Sequence, residues 1–230
     1  MIDLIIPDIH LKTDRADFIL RKEPHDHATF LGDYFDDFGD TPADNSKTAL
    51  WLKSHLDDLN KTFLLGNHDL HYRVVNNKTV CSGFSVPKFK AINTVLHPND
   101  WNLLHVCSYV QGFFLTHAGV HPCLFSKDVK SLAELITEGY QDTIHDVFSP
   151  YFAAGRSRGG SAEYGGITWL DYREFTPIKG FSQIFGHTPS LEVRRIVGGS
   201  SDNYCLDTHM KHYAVIQDGV VSIKETNFKE

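Results

Sequence analysis

Three times in the first 70 residues, a short apolar run stops at a side chain able to bind a metal ion. Residues 2–7 run into Asp8, with His10 two positions on. The stretch His27–Leu31 stops at Gly32-Asp33, and Thr62–Leu65 stops at Gly66-Asn67, followed by His68 and Asp69. Between these runs, residues 13–22 and 43–59 read as helices. The second carries Ala49, Leu50, Leu52, Leu56 and Leu59 at mostly three- and four-residue steps, an amphipathic spacing. Strands alternating with helices predict βαβ units and a largely parallel sheet, an α/β fold. Open sheets of this kind bind ligands beyond the carboxyl ends of their strands, which is where these polar residues fall.

The second half is richer in strands. Val110–Leu115 reads as a strand ending at Thr116-His117-Ala118-Gly119, and residues 127–148 as a helix with Leu132, Leu135, Ile136, Tyr140 and Ile144 on one face. Residues 153–166, rich in Gly, Ser, Arg and Ala, read as a loop. Runs of β character at 181–185, 191–197, 203–207, 212–217 and 219–223 could supply a second sheet, and the first of them ends at Gly186-His187. Trp101, Phe113 and Phe114 read as core. Nothing resembles a repeat, a low-complexity tract or a linker, so one domain is expected over residues 1–230.

Composition narrows the function classes. With 41% apolar residues and 17 glycines the chain is ordinary for a globular domain. Its 29 acids against 22 bases give a net charge of -7, which argues against nonspecific nucleic-acid or anionic-membrane binding. A small anionic substrate held by cations stays compatible with that charge. No stretch approaches the roughly 18–20 apolar residues of a membrane span, and the N-terminus lacks the basic segment of a secretory signal. Cys81, Cys107, Cys123 and Cys205 are widely spaced, without a Cys-x-x-Cys pair, and are expected as free thiols in a reducing, cytoplasmic compartment.

The unusual figure is 14 histidines. Taken singly, each candidate ligand has a plain alternative: Asn67 after Gly66 is ordinary turn chemistry, and His117 could be a satisfied core histidine. Taken together, Asp8, His10, Asp33, Asn67, His117 and His187 all stand at strand ends, and all offer oxygen or imidazole nitrogen. The absence of a thiolate disfavours a structural zinc site. Six such ligands suffice for two adjacent cations if one carboxylate bridges them. The mixed carboxylate, amide and imidazole set suits Mn²⁺, Fe or Zn²⁺ alike and does not by itself fix the metal; two divalent ions are expected, Mn²⁺ first, with Fe, Zn²⁺, Co²⁺ or Ni²⁺ as alternatives.

Five blocks in order resemble the calcineurin-like metallophosphoesterases, in particular their Ser/Thr protein phosphatase and diadenosine tetraphosphatase branch. They are Asp8-Ile9-His10, Gly32-Asp33-Tyr34-Phe35-Asp36-Asp37, Gly66-Asn67-His68-Asp69, His117-Ala118-Gly119 and Gly186-His187-Thr188, with first ligands 25, 34, 50 and 70 residues apart. The resemblance implies a two-sheet β-sandwich with flanking helices. It implies that Asp8, His10 and Asp33 hold one metal, and that Asp33, Asn67, His117 and His187 hold the other. It further implies a metal-bridging hydroxide as nucleophile, His68 as the acid that protonates the leaving oxygen, and Asp36 as the carboxylate orienting His68. The implied activity is hydrolysis of phosphate monoesters, on a small phosphorylated substrate or a phosphoprotein. One alternative is hydrolysis of a dinucleoside polyphosphate or another nucleotide on the same site, and a second is a binding module without turnover. Gly66-Asn67-His68-Asp69-Leu70-His71 and Leu206-Asp207-Thr208 look most like the diadenosine tetraphosphatase branch.

The departures are specific. Asp37 replaces the family's arginine after Asp36, so a usual phosphate clamp is missing. Arg156, Arg158 and Arg173 are the candidate replacements, because a guanidinium fork can bind two phosphate oxygens at once. Leu11 stands where glycine is usual. Pro189 stands where the nuclease and cyclic-nucleotide branches carry a second histidine. Trp169 and Tyr172, near the basic loop, could stack on an aromatic group of the substrate.

Overall fold

A computed structural model describes residues 1–76 and 78–228. The strands are β1 (Ile2–Ile6), β2 (His27–Phe30), β3 (Lys61–Phe63), β4 (Ser108–Val110), β5 (Phe113–Leu115), β6 (Ser182–Phe185), β7 (Arg194–Gly198), β8 (Ser201–Cys205), β9 (His212–Gln217) and β10 (Val220–Glu225). The helices are α1 (Thr13–Lys22), α2 (Pro42–His55), α3 (Asn67–Arg73), α4 (Val86–Val95), α5 (Pro98–Trp101) and α6 (Val129–Ile144).

The strands form two five-stranded sheets, ordered β10-β9-β1-β2-β3 and β4-β5-β6-β8-β7. Each has three parallel strands, β1, β2 and β3 in the first and β5, β6 and β8 in the second. Antiparallel strands complete them, β9 and β10 in the first and β4 and β7 in the second. The sheets are therefore mixed rather than largely parallel. The β-rich C-terminal half does not stay in one sheet either, because β9 returns to pair with β1.

Alternation along the strands builds the sandwich. Ile5, Leu31 and Leu64 from the first sheet meet Phe113, Leu115 and Ile184 from the second in one buried cluster. The intervening Leu4, Ile6 and Phe30 point the other way, onto the helices. With both faces covered, these strands read as continuous apolar runs. Phe113 and Phe114 are both core, but on opposite faces of β5.

Several expected boundaries move. Helix α2 opens on Thr41, whose side chain accepts the Asp44 N–H, with Pro42 in the first turn, and it ends at His55. Its buried face is Asn45, Thr48, Ala49 and Leu52, while Leu50 and Leu59 are 57% and 94% exposed. Helix α6 is shorter than residues 127–148, and Leu135 lies on its solvent side. The single strand expected at 110–115 is a hairpin, turned at Gln111 and Gly112, both with positive φ. Among the described residues no helix is long and apolar enough to cross a membrane. All four cysteines are unpaired; Cys205 is buried and Cys123 exposed.

Candidate metal centre

The six parallel strands of the two sheets end facing one another, and each end carries polar side chains. Beyond β1 come Asp8 and His10, beyond β2 Asp33, and beyond β3 Asn67 at the start of α3. The opposite sheet supplies His117 after β5, His187 after β6 and Asp207 after β8. Asp8, Asp33, Asn67, His117 and His187 are buried, and His10 is half-buried.

Close approach is possible because glycines precede the ligands. A Cβ on Gly66 would collide with Asp33 Oδ1, and one on Gly186 with Asp8 Oδ1. Gly32 has φ +105°, and a side chain there would strike the Gly66 backbone. Asp69 ties these turns together. Its carboxylate accepts the N–H groups of Asp33 (2.7 Å), Tyr34 (2.8 Å) and Gly66 (2.8 Å), capping α3 as it does so.

The backbone is strained where the ligands sit. Positive φ occurs at His10 (42°), Leu11 (64°), Asp33 (50°), Asp36 (63°) and His187 (69°), none of them glycine. Such conformations cost on the order of 1–3 kcal/mol each and persist where the surroundings over-determine them. Leu11 thus occupies a left-handed position, which accounts for glycine being usual there. Its N–H donates to Tyr34 O, and that of His10 to Asp33 O, zipping the two ligand loops together.

Two ligand groups share Asp33. Ligand atoms of Asp8, His10 and Asp33 lie within 4.8 Å of one another, as do those of Asp33, His117 and His187. His117 Nδ1 donates to Leu31 O (2.9 Å), which leaves Nε2 aimed at Asp33 Oδ2 (3.3 Å), Asn67 Oδ1 (3.1 Å) and His187 Nδ1 (3.2 Å). His10 is turned likewise, with Nδ1 on Asp36 O (2.7 Å) and Nε2 3.7 Å from Asp33 Oδ2. Outer hydrogen bonds of this kind fix the tautomer of metal-binding histidines. The carboxylates are oriented too: His187 N–H donates to Asp8 Oδ2 (2.9 Å) and His68 N–H to Asp33 Oδ1 (2.9 Å).

The donor set fits divalent cations. Three acceptor atoms surround His117 Nε2, and one proton cannot serve them all. Asp8 Oδ1 and His187 Nε2 are buried without a hydrogen-bond partner. Burial pushes His117 down, but Asp33 and Asp8 outweigh it and lift the imidazole to about 10. Burial likewise pushes Asp33 up, yet His117, His68 and His10 hold it well below the usual carboxylate range. Burial, then Asp207, raises Asp8, whereas burial and His117 hold His187 well below an ordinary imidazole.

Beside this ring, His68 Nδ1 lies 3.0 Å from Asp36 Oδ2. Burial works against the charged form of His68, but Asp33 and Asp36 raise its pKa above the ordinary imidazole value. Asp36 also receives Tyr72 Oη (2.6 Å) and Lys88 Nζ (3.0 Å), and His71 Nε2 stands 3.0 Å from it. Burial pushes Asp36 up, but His68, His71 and Tyr72 outweigh it and hold it well below the usual carboxylate range. Tyr72 and Lys88 are absent from the sequence reading, and Asp69 stands in its third block without a role of its own. His71 follows His68 by one helical step of three, a readable signal once residues 67–73 are seen as a helix. Lys88 reaches Asp36 from 52 residues away and left no local trace.

The three arginines part company. Arg158 donates to Thr188 Oγ1 (2.8 Å), next to His187, and pairs with Asp171 (2.9 Å). Arg156 is exposed, and Arg173, 74% exposed in its side chain, is turned onto Asp171. Neither makes a hydrogen bond or ion pair with a ligand residue among the described residues. Asp37 binds Lys12 Nζ (2.7 Å), which also donates to His10 O (3.2 Å). Trp169 lies edge-on to His187, with ring centroids 5.9 Å apart, whereas Tyr172 lies beneath the Arg194 guanidinium. A cleft of about 580 Å³ adjoins the site, with Arg158, Trp169, Phe148 and Lys78 on its walls.

Comparisons with known proteins bear on the fold and the family. A comparison with curated protein sequences finds no match. Among solved structures, the chain is similar to the cold-active protein-tyrosine phosphatase of a psychrophilic Shewanella species, at TM-score 0.56 and 14% identity, covering 96% of this chain and 80% of that one. It is similar also to a Saccharomyces cerevisiae protein serine/threonine phosphatase related to human phosphatase PP5, at TM-score 0.56 and 12% identity, covering 98% and 80%. A third neighbour, provisionally assigned as a diadenosine tetraphosphatase, gives TM-score 0.50 and 17% identity over 97% and 93% of the two chains. Identities this low speak for the fold alone. The sequence itself goes further, since a model of the calcineurin-like phosphoesterase family matches residues 4–191, and the chain belongs to that family.

Proposed function

We propose that this protein is a two-metal phosphoesterase that hydrolyses phosphate monoesters, phosphoproteins among them. The observation that carries the reading is the pairing of His68 with Asp36 at the edge of a ring of buried ligands. His68 keeps 20% of its side chain exposed, while Asp36 keeps 4%. Asp8, His10 and Asp33 would hold one cation, and Asp33, Asn67, His117 and His187 the other. Divalent cations in these places, Mn²⁺ first among them, neutralise phosphate charge and make water available as a nucleophile near neutral pH.

The chain's own residues do the rest. Asp36 favours the cationic form of His68 and aims its other ring nitrogen outward, so His68 can give a proton to the departing oxygen. Arg158, fixed by Asp171 and Thr188, offers its remaining N–H groups to a phosphate oxygen and takes the place of the arginine that Asp37 displaces. Asp171 and Thr188 act through Arg158, as positioning residues. Four unpaired cysteines suit a reducing, cytoplasmic setting.

A second reading has one observation in its favour. The cleft beside the site combines Trp169 and Phe148 with Lys78 and Arg158, a mixture that suits an aromatic base joined to a phosphate chain. On that reading the substrate is a dinucleoside polyphosphate. The test is a substrate panel with Mn²⁺-loaded protein: p-nitrophenyl phosphate, phosphoserine and phosphotyrosine peptides, and diadenosine tetraphosphate. Faster turnover of the monoesters supports the first reading, and faster turnover of the dinucleotide the second. No turnover of any of them with any divalent ion would leave a binding module.

A further inference from the structure

One thiol stands against the general-acid helix, outside the ligand ring. Cys81 Sγ lies 3.2 Å from His71 Nδ1 and makes longer contacts with Asn67, 3.7 Å to its side-chain amide and 3.9 Å to its carbonyl. His71 is fully buried, and its Nε2 faces Asp36 at 3.0 Å, which leaves Nδ1 as the nitrogen turned to the thiol. The chain after Cys81 is held close to this group by Gly83, where a Cβ would strike the Asp36 carboxylate. One ligand atom from each of His68, His71 and Cys81 lies within 4.8 Å of the other two. Two imidazoles a helical step apart and one sulfur, with a carboxylate steadying both rings, form a donor set unlike the oxygen-rich ring beside it.

We propose that His68, His71 and Cys81 form a third cation site, selective for Zn²⁺ or Cd²⁺ over Mn²⁺, whose occupation inhibits the enzyme. Thiolate and imidazole select the softer ions, whereas carboxylate and amide oxygens suit Mn²⁺. Three protein ligands with water in the fourth position is an ordinary zinc arrangement. Asp36 holds the imidazoles as outer carboxylates hold zinc-binding histidines. Coordination transfers the Cys81 thiol proton to water, and no electron changes hands. Cys81 borders the 580 Å³ cleft, so an ion can enter from solvent. Whichever nitrogen of His68 is taken, the ring loses either the proton it gives or the carboxylate that orients it. The inhibitory consequence rests on the role proposed for His68; the binding does not.

The experiment uses full-length, Mn²⁺-loaded protein carrying Cys123→Ser, because Cys123 Sγ lies 3.0 Å from His121 Nδ1 and could bind soft ions itself. Titration with Cd²⁺ should give a cadmium–thiolate charge-transfer band. Zn²⁺ should protect Cys81 from iodoacetamide, read by mass spectrometry of its peptide. Adding Cys81→Ser should abolish the band and weaken zinc inhibition by at least the about 10–100-fold that loss of even an outer partner costs, each rate being referred to the same variant without zinc. Equal alkylation of Cys81 with and without zinc, or a band that survives Cys81→Ser, would overturn the site. Protection without inhibition would overturn its inhibitory role. Protein inactive on every ester would refute the phosphoesterase reading and leave the band and the alkylation decisive for the site.

Discussion

The two sheets face each other across the candidate metal centre with the same plan and different chemistry. Each has three parallel strands, and each of the six strand ends delivers polar side chains. The first sheet contributes Asp8, His10, Asp33 and Asn67, the second His117 and His187. The carboxylate charge of the ring therefore comes from one side and most of its nitrogen from the other. On the proposed reading the first sheet supplies the attraction for cations, and the second supplies their geometry. The second also carries Thr188 and, through it, Arg158, the phosphate clamp of the proposed function.

The largest test of this division is to remove one ligand from each side. Asp33→Asn should abolish both metal binding and activity, because the shared residue loses its charge. His187→Ala should leave one cation bound, and equal metal loss in the two variants, measured by elemental analysis, would break the contrast. Next in size is His68→Asn, which should retain metal but slow hydrolysis about 10²–10⁴-fold. That loss should shrink for esters with good leaving groups, and a loss that is constant across leaving groups would contradict proton donation.

Smaller still, Arg158→Ala removes hydrogen bonds to a charged group, worth about 1.5–3 kcal/mol, or roughly 10–150-fold in kcat/KM. Metal content should not change, and a variant that loses metal instead would show that Arg158 supports the ligand ring rather than the substrate. The mildest is Asp171→Asn. Burial pushes Asp171 up, but Arg173 and Arg158 outweigh it and bring the carboxyl from 3.8 to about 2. A folded pKa below the unfolded one stabilises above about pH 4 and loses that contribution as the pH falls toward 2. Asp171→Asn should therefore lower the Tm at neutral pH and flatten the acid side of the stability profile between about pH 4 and 2. A parallel shift at every pH would show that Asp171 does not titrate in this way.

Much of the centre could be read from the sequence because its parts are local. Asp8 and His10, Gly32-Asp33 and Gly66-Asn67 each follow a short apolar run, and a strand end needs only a few residues to declare itself. His117 and His187 follow the same rule in the other sheet. What could not be read depends on long-range packing. The return of β9 to β1 is decided by pairing across more than 200 positions, as in Leu4 with Val215. Helices α4 and α5 are short, with Pro87 and Pro98 in their first turns, and Lys88 reaches the site from the first of them. Arg158 was one of three equal arginines until Asp171 and Thr188 separated it from the others. Helix α2 misled in a different way, since Leu50 and Leu59 fit an apolar spacing yet face solvent, and the true buried face includes Asn45 and Thr48.

The central claim, that two cations share Asp33, is tested most directly by anomalous diffraction from crystals of active, Mn²⁺-loaded protein. The account predicts two peaks flanking the Asp33 carboxylate, roughly 3.5–4 Å apart as in two-metal hydrolases, one near Asp8 and His10 and the other near Asn67, His117 and His187. A single peak, or none within reach of Asp33, in crystals of protein that still turns over substrate would contradict it.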